Sequence, residues 1–281
     1  MRTNGIDSQH NTMRTAVLTA YPRIFTDIDR AADVFFAAAR RAVSYGFTFE
    51  PSLFVPNMAI ELEARHKSLS RRLAALVDAS TLVVELGAGL STRRMEFPAV
   101  AYRELDFPTM VRFKADIYTD IGFESAAQDL VGVDLSAPDA LASAIADWDL
   151  SPYRRIVVLS EGLFWYLKRK DIADMIRCFE NAFAGTEWMW LTADCPVEER
   201  VDTEYRSVIA DSSGRSPVEP FADYTDFAAF LHEHGFTVQR SRMTETVSPR
   251  ELYAATFFSV DEAETRERME SYTDIALLTR A

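Results

Sequence analysis

A glycine-containing turn follows a short apolar run, TLVVEL at residues 81–86, and is typical of a nucleoside-binding site. Gly87 and Gly89 let the backbone approach a ligand closely, because a Cβ at either position would collide with it. A dinucleotide-binding turn has a third glycine where this chain has Thr92, and Glu85 is unfavourable beside a diphosphate. The same carboxylate suits ammonium and sulfonium charges, so the motif favours S-adenosylmethionine (SAM) over NAD.

Acidic residues also follow the next two strand-like runs. Asp106 comes about 20 residues after Glu85, where a carboxylate can accept hydrogen bonds from both ribose hydroxyls. Asp134 can receive the adenine amino group while Leu135 lies against the ring, or it can cap the helix that follows. These acids predict one nucleoside site at the carboxyl ends of neighbouring strands.

The run RIVVLS is followed by an acid and two aromatic residues. Glu161 lies where open α/β sheets hold their ligands and can bind the ammonium group of the methionine part of SAM. Trp165 and Tyr166 either form the wall beside the methyl acceptor or belong to the hydrophobic core.

SAM is a methyl donor, and the group that accepts the methyl decides whether the reaction needs a catalytic base. Displacement of an activated sulfonium requires mainly an aligned nucleophile and the exclusion of water. A carboxylate is already ionised at neutral pH, whereas a hydroxyl needs a base, for which His66 is the first candidate. The residues expected to orient the acceptor are Tyr21, Arg23, His66, Tyr166 and Tyr205.

The elements that must position these residues alternate strands with helices, as in a doubly wound parallel sheet. Amphipathic helices are predicted over 60–77 and 170–184. We expect a Rossmann-like α/β sheet that is mostly parallel, with an antiparallel closing strand and an N-terminal helical cap. The strands are expected near 81–86, 100–105, 130–135, 155–160, 187–193, 235–242 and 254–260.

The chain is expected to form a single domain, 1–281, with four parts. In the cap, helices are interrupted at Pro22 and end near Gly46, and residues 1–12 are interpreted as a mobile tail. The parts are the helical cap (1–78), the cofactor-binding core (79–195), an insertion that we interpret as a lid over the acceptor pocket (196–223), and a closing helix and strands (224–281).

Composition narrows the classes of partner. A formal net charge of −13 disfavours nucleic acid, because the average surface repels phosphates. Cys178 and Cys195 have no metal-ligand spacing and predict neither a metal site nor a disulfide. Without a signal-peptide pattern or an apolar run of about 20 residues, we expect a cytoplasmic protein that does not bind a membrane.

Together, the motifs VVELGAGLSTR, ELDFP, VDL and SEGLFWYL resemble the leucine carboxyl methyltransferase family, particularly its bacterial branch of O-methyltransferases linked to polyketide biosynthesis. The resemblance covers about residues 12–190. It implies a class I SAM-dependent methyltransferase, with S-adenosylhomocysteine (SAH) as the product, in a family whose members commonly methylate carboxyl oxygens.

The resemblance also implies roles for particular residues. Arg65 matches an arginine that binds the methionine carboxylate, and Arg14 or its neighbour Met13 matches a basic residue near the N-terminus. Relatives of this branch often have GAGLDTR where this chain has Ser91, which is expected to change loop contacts without abolishing binding. The expected donor-binding residues are Arg14, Arg65, Glu85, Gly87, Gly89, Asp106, Asp134, Leu135 and Glu161.

The sequence therefore predicts a SAM-dependent O-methyltransferase that acts on a small molecule, through a carboxylate or hydroxyl of a polyketide-like or other secondary metabolite. A protein C-terminal carboxylate is the alternative acceptor. An NAD-dependent oxidoreductase and a non-catalytic protein that retains the fold are the rival functions. The acceptor, the pathway and the oligomeric state stay open.

Overall fold

A seven-stranded sheet organises the computed structural model, which describes residues 4–48, 56–197, 218, 220–271 and 273–280. The strand order is β3-β2-β1-β4-β5-β7-β6. Strands β1 to β5 pair in parallel, while β7 is antiparallel to both β5 and β6. The predicted α/β sheet with an antiparallel closing strand is confirmed. The strands are β1 (Thr81–Leu86), β2 (Ala101–Asp106), β3 (Leu130–Gly132), β4 (Arg155–Ser160), β5 (Glu187–Pro196), β6 (Phe236–Ser241) and β7 (Thr273–Arg280).

Helices cover both faces of this sheet and form the cap. None of the described helices combines the length and apolar character that crossing a membrane requires. The α-helices are α1 (Asn4–Ala20), α2 (Ala31–Ala42), α3 (Pro56–Ala74), α4 (Arg93–Glu96), α5 (Pro108–Asp120), α6 (Pro138–Ile145), α7 (Arg169–Ala182), α8 (Tyr224–Glu233), α9 (Tyr253–Phe257) and α10 (Glu262–Glu270). Short 3₁₀ helices include Pro22–Phe25 and Phe164–Tyr166.

Strands β1 and β4 are almost continuous apolar runs because the sheet is covered on both faces. Helices α6, α7 and α8 pack on one face, and α3, α9 and α10 pack on the other. A third apolar cluster joins α1 and α2 to α5, which attaches the N-terminal cap to the sheet domain. The strand ends are therefore held in fixed positions relative to the cap.

One predicted strand is wrong. Residues 254–260 are not a strand, because the chain forms α9 there and the closing strand is β7. The carboxylate of Glu63, from α3, accepts hydrogen bonds from the backbone N–H groups of Tyr253 (2.9 Å) and Ala254 (2.8 Å). These bonds satisfy donors that a helix leaves unpaired in its first turn, so a distant residue favours helix over strand.

Two further boundaries differ from the expectations, and a third prediction falls mostly outside the described residues. The mobile tail is wrong for residues 4–12, which belong to α1. The third strand ends at Gly132, so Asp134 and Leu135 lie in the following loop. Most of the expected lid, residues 198–217 and 219, lies outside the described residues.

Candidate active site

A cavity of about 210 Å³ lies at the carboxyl ends of β1 to β4. The loops after these strands supply most of its wall, as expected for an open α/β sheet. Helix α1 supplies another side through Asn11, Thr12, Thr15, Ala16 and Thr19. The cap and the sheet therefore build one cavity together.

The glycine turn after β1 needs its glycines. Gly87 and Gly89 have φ angles of 60° and 44°, a region that other residues rarely adopt. A Cβ on Gly87 would lie 2.9 Å from Cδ1 of Leu163, which belongs to the loop after β4. The turn is held to the sheet by a 2.8 Å hydrogen bond from the Gly87 N–H to the Leu105 carbonyl.

The acids after β2 and β3 both line the cavity. The carboxylate of Asp106 accepts the N–H groups of Gly89 (2.8 Å) and Phe107 (2.7 Å), while burial raises its pKa. Asp134 accepts hydrogen bonds from the N–H (2.9 Å) and hydroxyl (2.7 Å) of Ser136. It does not cap α6, because Ala137 occupies the N-cap position.

A cluster of arginines surrounds Glu161 at the end of β4. Its carboxylate accepts hydrogen bonds from Arg23 (3.1 Å), Arg65 (3.0 Å) and Arg93 (2.7 Å). Burial opposes ionisation, but these three guanidiniums hold the pKa of Glu161 well below its ordinary value. Glu161 is therefore an anion, and Arg23 and Arg65 line the cavity beside it.

Arg93 was not among the residues predicted from the sequence. Its side chain is fully buried and contacts Glu85 (2.8 Å) as well as Glu161. Burial disfavours its charge, but the two carboxylates raise the pKa of Arg93 above its ordinary value. The sequence feature that could have identified Arg93 is its place in the motif GLSTR, just after the glycines.

Two aromatic residues line the cavity near its end at β4. Trp165 and Tyr166 lie in the 3₁₀ helix after Glu161, and the flanking residues Leu163 and Leu167 also line the cavity. Burial raises the pKa of Tyr166 to about 12, so its hydroxyl stays protonated at neutral pH.

Several predicted residues lie elsewhere. Tyr21 packs against the rings of Phe25 and Phe35 outside the cavity wall. His66 is buried behind the wall, with Nε2 against Glu96 and Nδ1 3.3 Å from Arg93. Arg14 is exposed on α1, its neighbour Met13 is buried in the cap, and Tyr205 lies outside the described residues.

A sequence model of the leucine carboxyl methyltransferase family matches residues 12–180, which is more than half of the chain. The chain belongs to this family. As a leucine carboxyl methyltransferase family member it is a methyltransferase, and its methyl donor is SAM. A comparison with curated protein sequences found no match.

Several solved structures are similar to this family member at low sequence identity. The mitomycin 7-O-methyltransferase MmcR has 12% identity over 97% of this chain and 94% of that chain, with a TM-score of 0.46. PigF with SAH has 13% identity over 94% of this chain and 70% of that chain, with a TM-score of 0.46. Human N-acetylserotonin methyltransferase in complex with SAM has 11% identity over 91% of this chain and 59% of that chain, with a TM-score of 0.45.

The cavity of this family member combines a closely packed glycine turn with a buried arginine. A Cβ on Gly87 would meet the side chain of Leu163, so the backbone of the turn lies bare at the cavity wall. At the other end, Arg23 buries its Nε without a hydrogen-bond partner among the described residues. A buried donor of this kind costs free energy unless a ligand or water satisfies it.

Proposed function

We propose that this methyltransferase binds SAM along the carboxyl ends of β1 to β4 and transfers its methyl group to an oxygen of a small molecule. The observation that carries the proposal is that the cavity has two chemically different ends. The charged residues that line the end at β2 and β3 are acids, whereas acids and arginines together line the end at β4. The first suits a nucleoside and the second suits an amino acid.

The nucleoside is assigned to the end at β2 and β3. Asp106 can accept the ribose hydroxyls, and Asp134 can accept the adenine amino group with Leu135 against the ring. From β3 to β4 is three strand spacings, or about 14 Å, which suits a nucleoside with an extended tail. Gly87 and Gly89 lie between the two ends and allow close contact along this path.

The methionine portion is assigned to the end at β4. An amino acid carries an ammonium and a carboxylate group, so it needs a carboxylate and a cation close together. Glu161 and Arg65 form such a pair with 3.0 Å between their atoms, and both line the cavity. Glu85 adds a second carboxylate in the wall, which favours the sulfonium charge of the donor over the neutral sulfur of the product.

The acceptor is proposed to be a carboxylate of a polyketide-like or other secondary metabolite. Arg23 lines the cavity and can orient an anion, with the aromatic wall of Trp165 and Tyr166 beside it. A hydroxyl acceptor would need a base, but both nitrogens of His66 are engaged and burial lowers its pKa. A carboxylate needs no base, which agrees with this arrangement.

When bound, SAM supplies an electrophilic methyl group on a positively charged sulfur. Transfer to an acceptor oxygen would form a C–O bond as the C–S bond breaks, and the electron pair of the C–S bond would stay on the sulfur of SAH. The residues of this chain align the two groups and exclude water, which is sufficient for an already activated leaving group. Arg23 would hold the attacking oxygen in line.

Calorimetric titration with SAM, SAH and NAD tests the donor site. Binding of the sulfur nucleosides but not NAD is expected, and Asp106→Ala should weaken it. Turnover is then measured on small aromatic and aliphatic acids, on the matching alcohols and on peptides that end in leucine. Methylation of the acids supports the proposal, methylation of peptides alone favours the protein carboxyl methyltransferase, and absence of SAM binding rejects the donor site.

A further inference from the structure

We infer that Arg93 is a positioning residue for the amino-acid end of the methyl donor. The inference rests on the proposed function. Arg93 is fully buried and does not line the cavity, but its guanidinium contacts two carboxylates that do. One terminal nitrogen donates to Glu85 at 2.8 Å, and the other donates to Glu161 at 2.7 Å.

The two carboxylates need this bridge because they lie on neighbouring strands. Glu85 is near the end of β1 and Glu161 follows β4, its pairing partner, so two anions approach each other at one edge of the cavity. Burial strengthens their repulsion, and an uncompensated buried charge is costly. One guanidinium that contacts both carboxylates removes the repulsion and fixes the distance between them.

The bridge is itself held from behind. Nε of Arg93 donates to the Ser70 hydroxyl at 3.3 Å, and Nδ1 of His66 lies 3.3 Å from a terminal nitrogen. Burial and the adjacent guanidinium lower the pKa of His66, so its neutral ring can accept this hydrogen bond. Both supporting residues are on α3, which makes α3 the support of the bridge.

The consequence is a separation between the two ends of the donor. Arg93 contacts the acids assigned to the ammonium and sulfonium charges, whereas the nucleoside acid Asp106 is held by the N–H groups of Gly89 and Phe107. Removing the guanidinium should therefore disturb the binding of the methionine portion and leave the binding of the nucleoside portion.

The test compares SAH with 5′-methylthioadenosine, which keeps the nucleoside and lacks the amino-acid group. Calorimetry on the full chain should give at least about tenfold weaker SAH binding for Arg93→Gln, because about 1.4 kcal/mol of binding free energy corresponds to tenfold. Affinity for 5′-methylthioadenosine should change by less than about threefold, well under that amount. Arg93→Lys keeps the charge and should recover part of the SAH affinity.

Arg240→Gln is the matched control. It also breaks an ion pair with a buried aspartate, Asp274, at 2.6 Å, but the two residues lie on β6 and β7, which do not line the cavity. It should leave both affinities unchanged. Equal weakening of both ligands by the Arg93 variants would mean a general structural role and overturn the inference, as would unchanged SAH binding. If Arg93→Gln does not fold, the same comparison is made on Arg93→Lys. A wild-type chain that binds neither SAM nor SAH would instead reject the proposed function.

Discussion

Replacing Glu161 with glutamine should leave one guanidinium of the cluster without a compensating charge. Arg65 keeps an ion pair with Glu61 at 2.7 Å, and Arg93 keeps Glu85 at 2.8 Å. The carboxylate partner of Arg23 is Glu161 itself, and the side chain of Arg23 is only 10% exposed. The variant therefore has a buried cation in place of a buried ion pair.

Breaking a buried ion pair by removing one partner costs about 3–5 kcal/mol of unfolding free energy. For 281 residues the unfolding entropy is about 0.6 kcal/mol/K, so the melting temperature should fall by about 5–8 °C. Arg23→Met alone should cost less, because Glu161 keeps two arginines. In the double variant the excess charge is gone, so its melting temperature should lie above that of Glu161→Gln.

Thermal unfolding of the wild type, both single variants and the double variant, followed by circular dichroism without ligand, measures this coupling. Recovery in the double variant supports the charge argument. The reasoning is refuted if Glu161→Gln costs less than about 1 kcal/mol, or if the two substitutions simply add, since residues that share a buried charge pair must couple.

Three further outcomes are expected. Burial lowers the pKa of His66 below 6.5, so the unfolded chain binds a proton there first and the folded state loses stability as the pH falls below about 6.5. His66→Gln should therefore flatten the decline of the urea midpoint between pH 7 and pH 5. Equal declines in the wild type and the variant would contradict this. Asp106→Ala should weaken SAH and 5′-methylthioadenosine alike by calorimetry, and a loss confined to SAH would exclude the ribose role. Gly87→Ala and Gly122→Ala both place a Cβ at a positive φ angle, which should lower the free energy of unfolding by about 1–2 kcal/mol each. Only the Cβ at position 87 also meets Leu163, so the urea midpoint of Gly87→Ala should fall further. Equal midpoints for the two variants would remove the steric argument.

Parts of the fold with local causes could be predicted from the sequence. Strands β1 and β4 coincide with the predicted runs, because a strand buried on both faces is a short continuous apolar segment and six residues are too few for a typical helix. Gly87 and Gly89 likewise mark their turn directly, since both have a positive φ angle and Gly87 also lies too close to Leu163 for a Cβ.

Features of the fold and the site that depend on residues distant in the sequence could not be predicted in this way. The segment 254–260 reads as a strand from its own residues, and Glu63, far away in the sequence, is what caps it as a helix. His66 has the chemistry of a base, but only the folded structure shows that Glu96 and Arg93 occupy its nitrogens. Arg93 was missed because its partners come from separate strands.

The position of β7 has a consequence for how the protein is made on the ribosome. Strand β6 is synthesised first, but it joins the sheet through β7, which follows residues 242–272 and lies between β5 and β6. A nascent chain that already contains β6 therefore still has an open edge on β5, whose residues are almost all buried in the finished protein. Open strand edges pair with other chains, so pairing of residues 273–280 with β5 removes an edge at which a nascent chain can aggregate.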